Sequence, residues 1–520
     1  MEANIGPTFQ QLQHFPVVPH ADEQVTVSVV AEDPDGVSSV KLYWSVQKGA
    51  HLGDWNNITM GAGLDGKFTG IIPGESTKDR IQFYVEAVDS SGATSTFPKA
   101  GQDSRAMYVV QDNQAKLEPL HNLRIIMAQS DMNTIDAGSN LMSNDRLGAT
   151  VIINESEVFY DVGVRRSGAS SSRQGTNGYS IRFHADKLFR GVHDTLTVDR
   201  NNVHEILVRQ LMVHAGDVPA MYNDVIRLVG PSSSKTGYAQ LRMARFDDVY
   251  LDSQYENGSE GTVFEKELTY RQSASGPEGL KAPFGYSHPP ELNTDIRDYG
   301  PDKETYRWHW LIKNHRSRDD YSQIVALNQA FSLPAGPELE EAADDLLDID
   351  KWMRTFAAMR LFGNRDFYSQ SRGGESSHWR HNFQVYVRPS DNKLVVFPWD
   401  IDENYQISSS STLFGVGTVS KVIQLPKNLR LTYGHYHDLI ENTFNSSIIN
   451  PLVSHLSSKL PGIGFTGGKN YIQTRTNYVL SQLPDQIPFE ITTNGGAAFS
   501  VTTPSVTLSG NAWHRIKEIF

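Results

Sequence analysis

Three short pieces of sequence decide the fold prediction: LFGNRD at 361–366, HNFQVYV at 381–387 and FPWDID at 397–402. The first piece ends a strongly helical pattern over Asp350–Phe362, and Gly363 is the residue type that most often terminates a helix. The other two pieces are rich in β-branched and aromatic residues, and turn residues at 389–392 separate them. We therefore predict a helix, then a polar loop, then a β-hairpin with polar side chains at its open end.

These polar side chains match the requirements of phosphoryl transfer from ATP. That reaction needs a carboxylate that receives the acceptor hydroxyl, and oxygen ligands that hold Mg²⁺ against the phosphates. The side chains of Asp366, Asn382, Asp400 and Asp402 together offer both kinds of group. Because Asp400 and Asp402 are two residues apart, we expect their carboxylates to share a face of an extended backbone. A protein kinase has its catalytic aspartate, its asparagine and its metal-binding aspartate in the same chain order.

The pattern GN-x-D, N-x-x-x-Y and F-P-W-D-x-D resembles the core signature of the CotH family of spore-coat atypical kinases. It is carried by Gly363, Asn364, Asp366, Asn382, Tyr386, Phe397, Pro398, Trp399, Asp400 and Asp402. Upstream, VRRSG at 164–168, Ser171–Arg173 and YSIRF at 179–183 are similar to a second region of that family. The resemblance spans roughly Asn122 to Leu483.

The resemblance implies a kinase-like fold that binds ATP and Mg²⁺ or Mn²⁺, with Ser or Thr hydroxyls of proteins as phosphate acceptors. Asp366 would be the catalytic carboxylate. Asn382 and Asp400 would be the magnesium ligands, with Asp402 as a supporting ligand. Arg165, Arg173 and Arg182 would contact phosphate oxygens. Glu205, on a helix, would pair with Arg182.

Three departures from the family pattern favour an alternative without catalysis. Asn177 and Gly178 stand where the family has a lysine, and Ala244 stands near the usual glutamate. Residues 371–380 lengthen the gap between Asp366 and Asn382. The alternative is an inactive, kinase-like structural or adhesive surface protein that acts by binding a partner, and carbohydrate recognition is a third hypothesis.

Outside this region the chain divides into further domains. Short β-rich runs separated by turn residues predict an Ig-like or fibronectin-like β-sandwich over 13–112. The kinase-like domain follows at 120–485, with strands first and helices later, which is typical of an α+β domain. Residues 486–520 predict the beginning of an incomplete C-terminal β-module, with strands at Phe499–Leu508 and Trp513–Ile519.

Composition narrows the possible partners and compartments. The net charge of −13 argues against nucleic acid, since that affinity comes mainly from lysine and arginine. The chain has no cysteine and no apolar stretch long enough for a transmembrane helix, and we identify no signal peptide in it. The company of an Ig-like module predicts an extracellular or cell-surface protein whose partner is a protein substrate or surface partner.

Two further clusters leave metal binding open. Asp33-Pro34-Asp35-Gly36 is an acidic turn that either binds calcium or is only a turn. Gly434–Asp438 gathers two histidines and an aspartate, which form either a metal site or a structural polar cluster.

Overall fold

The structure is a computed structural model of the chain. It describes residues 4–63, 66–116, 119–140, 143–168, 173, 178–266, 295–307, 309–369 and 381–516.

The chain forms two compact units that alternate along the sequence. The first contains the described residues of Met1–Val203 and Tyr222–Ala244. The second contains those of His204–Met221, Arg245–Arg271 and Ser287–Phe520. The segment His204–Met221 of the second unit therefore lies, in sequence, between two segments of the first unit.

The first unit begins with two facing sheets. Their strands are β1 Thr8–Phe15, β2 Val25–Glu32, β3 Val37–Lys48, β4 His51–Leu52, β5 Asn56–Thr59, β6 Gly61–Ala62, β7 Lys67–Ile72, β8 Arg80–Asp89, β9 Thr94–Phe97 and β10 Ala106–Val109. One sheet has the order β1-β2-β7-β6, and the other has the order β10-β8-β3-β4, with β5 on β3 and β9 on β8. Side chains alternate along β3, so Val40, Leu42 and Trp44 enter the shared core while the residues between them face outward.

A closed barrel completes the first unit. Its elements are β11 Asn122–Ile126, α1 Gln129–Asp136, β12 Leu147–Ile153, β13 Glu157–Arg166, β14 Tyr179–Arg182, β15 Thr195–Asp199, β16 Asn223–Val229 and β17 Gly237–Arg242. Among the described residues, seven strands follow the order β11-β12-β13-β14-β15-β17-β16. The parallel pairing of β11 with β16, which sets Leu123 opposite Leu228, closes the ring. Buried aliphatic and aromatic side chains form the barrel core.

The second unit is mostly helical around one small sheet. Its elements are α2 Glu205–Ala215, α3 Asp248–Gln254, β18 Thr262–Lys266, β19 Leu311–Ile312, α4 Ser322–Ser332, α5 Pro337–Leu346, α6 Ile349–Phe362, β20 Phe383–Val387, β21 Leu394–Pro398, α7 Gly417–Ile423, α8 Pro426–Asn442, α9 Ser446–Lys459, α10 Thr466–Gln482, β22 Glu490–Ile491 and β23 Gly510–Asn511. The sheet has the order β19-β18-β20-β21. Helix α6 packs on it through buried Trp352, whose Nε1 donates to the carbonyl of Leu394 at 2.8 Å.

The prediction of a multidomain chain that opens on a β-rich region is confirmed, while the kinase-like fold of the centre stays a prediction. Helix α2 ends at Ala215, and Gly216 follows with φ of 64°. The hairpin predicted around Pro389–Asn392 is β20 and β21.

The strand predicted at Phe499–Leu508 is wrong, because that segment is not a strand in the structure. Its apolar residues are exposed, Phe499 at 42% and Leu508 at 53%. The described neighbours form only the short pair β22–β23, and two-stranded sheets are marginal in water. Of the run predicted at Trp513–Ile519, residues 513–516 are also not a strand, and the last three residues lie outside the described part.

No helix within the described residues combines the length and the apolar character that crossing a membrane requires.

Candidate functional site

The loop that carries Asp366 is fixed by the end of helix α6. Gly363 ends the helix with φ of 62°, a conformation that favours glycine, and a Cβ there would collide with the hydroxyl of Tyr471. The next residue, Asn364, is fully buried and its Oδ1 accepts from the backbone N–H of Asp366 at 2.9 Å and of Phe367 at 2.6 Å. Asn364 therefore holds the backbone turn that presents Asp366.

The structure brings Asp366 and Asn382 together. The Nδ2 of Asn382 donates to Oδ2 of Asp366 at 3.0 Å, and both side chains are buried, with Asp366 8% exposed. His381 lies on the same carboxylate, with 3.6 Å between its Nε2 and Oδ2. The predicted catalytic residue and one predicted metal ligand thus share one polar cluster.

Asp400 and Asp402 follow the other end of the hairpin. Strand β21 ends at Pro398, and the backbone N–H of Trp399 donates to the carbonyl of Asn382 at 3.3 Å, so this loop starts beside Asn382. The expectation of an extended backbone here is wrong, because Asp400 has φ of 48° and residues 399–402 lie outside any strand. Alternation along a strand therefore does not place the two carboxylates on one face.

The three carboxylates of this region are not gathered around one point. Among the described residues, Asp366, Asp400 and Asp402 do not form a set whose ligand oxygens all lie within 4.8 Å of one another. Such a set does exist in the first unit, where it consists of Asp33, Asp35 and Asp89 from the acidic turn and the end of β8. Calcium binding by that set stays a prediction.

Two of the three predicted phosphate-binding arginines lie on barrel strands. Arg165 is on β13, half-buried, and Arg182 ends β14, exposed. Arg173 is buried, and its guanidinium donates to the carbonyls of Gly168 and Ser143, both at 2.8 Å.

A fourth arginine, which sequence reasoning missed, belongs to the same group. Burial and the positive charges of Arg165 and Arg182 lower the pKa of Arg146 to about 10. Arg165 likewise adds to the burial that lowers the pKa of Arg173. Arg146 also donates to the carbonyls of Gly163 at 3.2 Å and Ser180 at 2.8 Å, and guanidinium groups suit phosphate oxygens.

Glu205 is the first residue of α2 and is fully buried. It forms an ion pair with Arg209 one turn later, with 3.6 Å between Oε2 and Nη2. The predicted pairing of Glu205 with Arg182 stays a prediction.

Sequence reasoning also missed charged residues beside the hairpin. Glu265 on β18 is 4% exposed, forms an ion pair with Lys313 and accepts from Nε2 of Gln384 at 3.0 Å. The ammonium of Lys313 lies 5.9 Å from the ring centroid of Trp399, the residue before Asp400. No motif surrounds Glu265 or Lys313, so only the sheet pairing reveals them.

The next residue, Lys266, is 2% exposed, and burial lowers its pKa to about 8. Its ammonium lies 5.4 Å from the ring centroid of Trp310. Register places Lys266 opposite Phe383, and Phe383 opposite Pro398. Lys266, Phe383 and Pro398 therefore lie side by side across three strands. Asn382 and Trp399 are the chain neighbours of Phe383 and Pro398.

The histidine cluster at Gly434–Asp438 lies on α8, and Arg354 contacts both His435 and Asp438. His435 bonds to Oδ1 of Asp350 at 3.0 Å, and Asp438 pairs with Arg354 at 2.6 Å. His437 instead stacks on His514. Within the part of the chain that the structure describes, the ligand atoms of these three side chains do not all lie within 4.8 Å of one another, as a shared metal ion would require.

Several sequence features lie outside the described residues. They are Ser171 and Ser172 of the upstream pattern, Asn177 of the missing lysine position, and the lengthened segment Ser371–Arg380.

No protein-family model matches the chain, and no curated protein matches it. Solved structures match weakly. The bromine derivative of BhCBM56 is 14% identical, with 18% of this chain and 88% of that chain covered and a TM-score of 0.13. The uncharacterized protein lmo2446 from Listeria monocytogenes, in complex with glucose, magnesium and calcium, is 10% identical, with 37% and 15% covered and a TM-score of 0.15. The cycloalternan-forming enzyme from the same organism is 10% identical, with 36% and 17% covered and a TM-score of 0.15.

Proposed function

We propose that this chain is a divergent CotH-like atypical kinase. It binds ATP with Mg²⁺ or Mn²⁺ and transfers the γ-phosphate to Ser or Thr hydroxyls of proteins, at the cell surface or outside the cell. The observation that supports the proposal is the buried pair of Asp366 and Asn382 at the open end of the β20–β21 hairpin.

The side-chain chemistry around this pair fits a hard divalent cation. The Nδ2 of Asn382 donates to Asp366. Among the described residues, no group donates a hydrogen bond to the Oδ1 of Asn382. Amide and carboxylate oxygens are the ligands that Mg²⁺ prefers. Asn382 and Asp400 would hold the ion, with Asp402 in support, and the metal nucleotide supplies the phosphoryl group and neutralises its charge.

Asp366 would receive the acceptor hydroxyl. Its carboxylate is nearly buried, so it is held in one orientation by Asn382 and by the backbone turn of Asn364. In the proposed reaction the hydroxyl oxygen bonds to the γ-phosphorus, its proton passes to Asp366, and ADP leaves. The resemblance also assigns phosphate contacts to Arg165, Arg173 and Arg182, which belong to the first unit.

A specific observation favours a second candidate, an inactive kinase-like surface protein that acts by binding a partner. Asp366, Asp400 and Asp402 do not close around one point among the described residues. The family's lysine is also replaced by Asn177 and Gly178. In that case Asp366 and Asn382 would form a structural hydrogen-bonded corner.

The thermal stability of the purified chain with ATP and Mg²⁺ or Mn²⁺ separates these candidates. A ligand that binds only the native state stabilises it by about 2.7 kcal/mol at a hundredfold excess over Kd. We expect a metal-dependent rise in Tm for the wild type, and its loss in Asp400→Ala.

The matched control is Asp345→Ala, an exposed aspartate on α5 of the same unit. It should keep the full rise in Tm. If neither metal raises Tm of the wild type, the kinase proposal is wrong and the inactive candidate takes its place.

A further inference from the structure

The outer face of the N-terminal six-stranded sheet carries a cluster of three aromatic rings. Tyr43 on β3 and Tyr84 on β8 are directly paired across the strands, and their rings stack in parallel at 4.8 Å between centroids. Trp55, just before β5, meets Tyr84 edge-on at 5.2 Å. All three rings are partly exposed and point away from the core, which is filled from the opposite face of β3 and β8.

The side chains around the rings are polar, and their charges cancel. Lys41 lies opposite Glu86 in the same strand pair, so the face carries one positive and one negative group side by side. The hydroxyl of Tyr43 donates to Oε1 of Glu86 at 3.2 Å. On β5, the exposed Asn57 lies opposite Tyr43, and the exposed Thr59 lies opposite Lys41.

This combination does not match an apolar docking surface or a site for a charged ligand. An apolar partner would leave the amide, hydroxyl, ammonium and carboxylate groups without hydrogen bonds, which costs free energy. A strongly charged ligand would meet a face of balanced charge. The composition instead suits a neutral ligand with both apolar C–H faces and many hydroxyl groups.

We infer that this face is a carbohydrate-binding site for a neutral glycan. The C–H faces of sugar rings pack on the negative faces of aromatic rings, so Trp55, Tyr43 and Tyr84 supply stacking surfaces. Sugar hydroxyls both donate and accept, and the surrounding side chains offer both functions: Lys41, Asn57, Thr59 and Glu86. The site is independent of the phosphoryl-transfer proposal, because none of its residues belongs to that machinery.

Native affinity electrophoresis of the whole chain tests the inference. The protein is run through gels that contain amylopectin, hydroxyethylcellulose, xylan or a soluble β-1,3-glucan, and through a gel without polysaccharide. We expect slower migration in at least one of the four gels. In that gel, Trp55→Ala and Tyr84→Ala should weaken binding about tenfold or more, as removal of central aromatic side chains does elsewhere.

The control is Ile71→Ala. Ile71 is an apolar residue on the opposite sheet of the same module, and it is 48% exposed. The migration of this variant should be slowed as much as that of the wild type. Since Tyr84 also stabilises its sheet, thermal melting of each variant is measured alongside. Trp55 lies outside the strands, so its removal keeps the test informative even if Tyr84→Ala unfolds. Free migration of the wild type in all four gels, or undiminished retardation of Trp55→Ala, overturns the inference.

Discussion

The amide of Asn382 donates a 3.0 Å hydrogen bond to the carboxylate of Asp366 although the two residues are separated by the whole segment from the end of α6 to the start of β20. Asn382 has φ of 62°, so its backbone leaves the strand direction at this position. Strained backbone of this kind concentrates at functional sites. The pair is therefore the place where substitutions are most informative.

Asp366→Asn should slow phosphoryl transfer strongly without abolishing nucleotide binding. An asparagine at this position still accepts from Nδ2 of Asn382 but does not take up a proton at neutral pH. We expect the rate of metal-dependent ADP formation to fall by a factor of about 10² to 10⁴. The rise in Tm with ATP and metal should persist, because Asp366 is not a proposed metal ligand.

Asp345→Asn serves as the control for this experiment and should form ADP at the wild-type rate. Equal rates of ADP formation in Asp366→Asn and the wild type would contradict the assigned role of Asp366.

Arg182→Gln should weaken ATP binding. Arg182 is exposed at the end of β14, and its charge acts on Arg146, so it contributes to the positive group without a structural role in the core. Loss of one charged hydrogen bond costs about 1.5–3 kcal/mol, which corresponds to at least about tenfold in Kd. Isothermal titration with ATP at two salt concentrations measures the change.

Arg190→Gln is the matched variant, since Arg190 is also exposed, at 45%, in the same unit. We expect its Kd for ATP to equal that of the wild type. An equal loss in both variants would mean that only overall charge matters, and the arginine group would not be a specific site.

The end of the described chain is attached to α8 by stacked histidines. The rings of His437 and His514 lie 4.8 Å apart with 22° between their planes, and Trp513 contacts both. Burial, His437 and the guanidinium groups of Arg430 and Arg515 lower the pKa of His514 to about 4.

Acidification should therefore release this segment. A depressed pKa means that the free segment binds protons more readily than the docked one. Docking is at full strength above the ordinary histidine pKa of 6.5 and weakens as the pH falls from there towards 4. Glu441 opposes this effect, since its negative charge acts on His437 and it pairs with Arg515 at 2.5 Å.

A single dye label reports the release, because the chain has no cysteine of its own. Ser509→Cys carries the label on an exposed residue next to β23. Its fluorescence anisotropy should drop between pH 7 and pH 4, and His514→Phe, which keeps an aromatic ring without a titrating group, should remove the drop. A drop that persists in His514→Phe would assign the transition to another group.

Local sequence signals were sufficient for much of the fold. Helix α6 was predictable from its apolar period and from Gly363, and the β20–β21 hairpin from Pro389–Asn392. Closure of the barrel was not predictable, because the pairing of β11 with β16 joins strands that are remote in sequence and leave no local pattern. The strand prediction at Phe499–Leu508 was wrong although a local pattern was present. A β-rich composition alone does not supply a partner strand.

The residues of the candidate site were likewise predictable only where a local motif marks them. Motif spacing identified Asp366 and Asn382, and the structure places them together. Glu265, Lys266 and Arg146 had no motif, and only strand register and burial reveal them. The conformation of Asp400 was mispredicted because strand alternation ends at Pro398.

The alternation of the two units along the chain has a consequence for dissecting the protein. The chain leaves the first unit after Val203 and returns at Tyr222 with the two strands that complete the barrel. A polypeptide truncated at Val203 would leave β11 and β15 as open edges, and such edges recruit strands from other molecules. Expression of the first unit alone therefore has to reach Ala244, with a short linker in place of residues 204–221, whereas a cut at Val203 should yield an aggregating product.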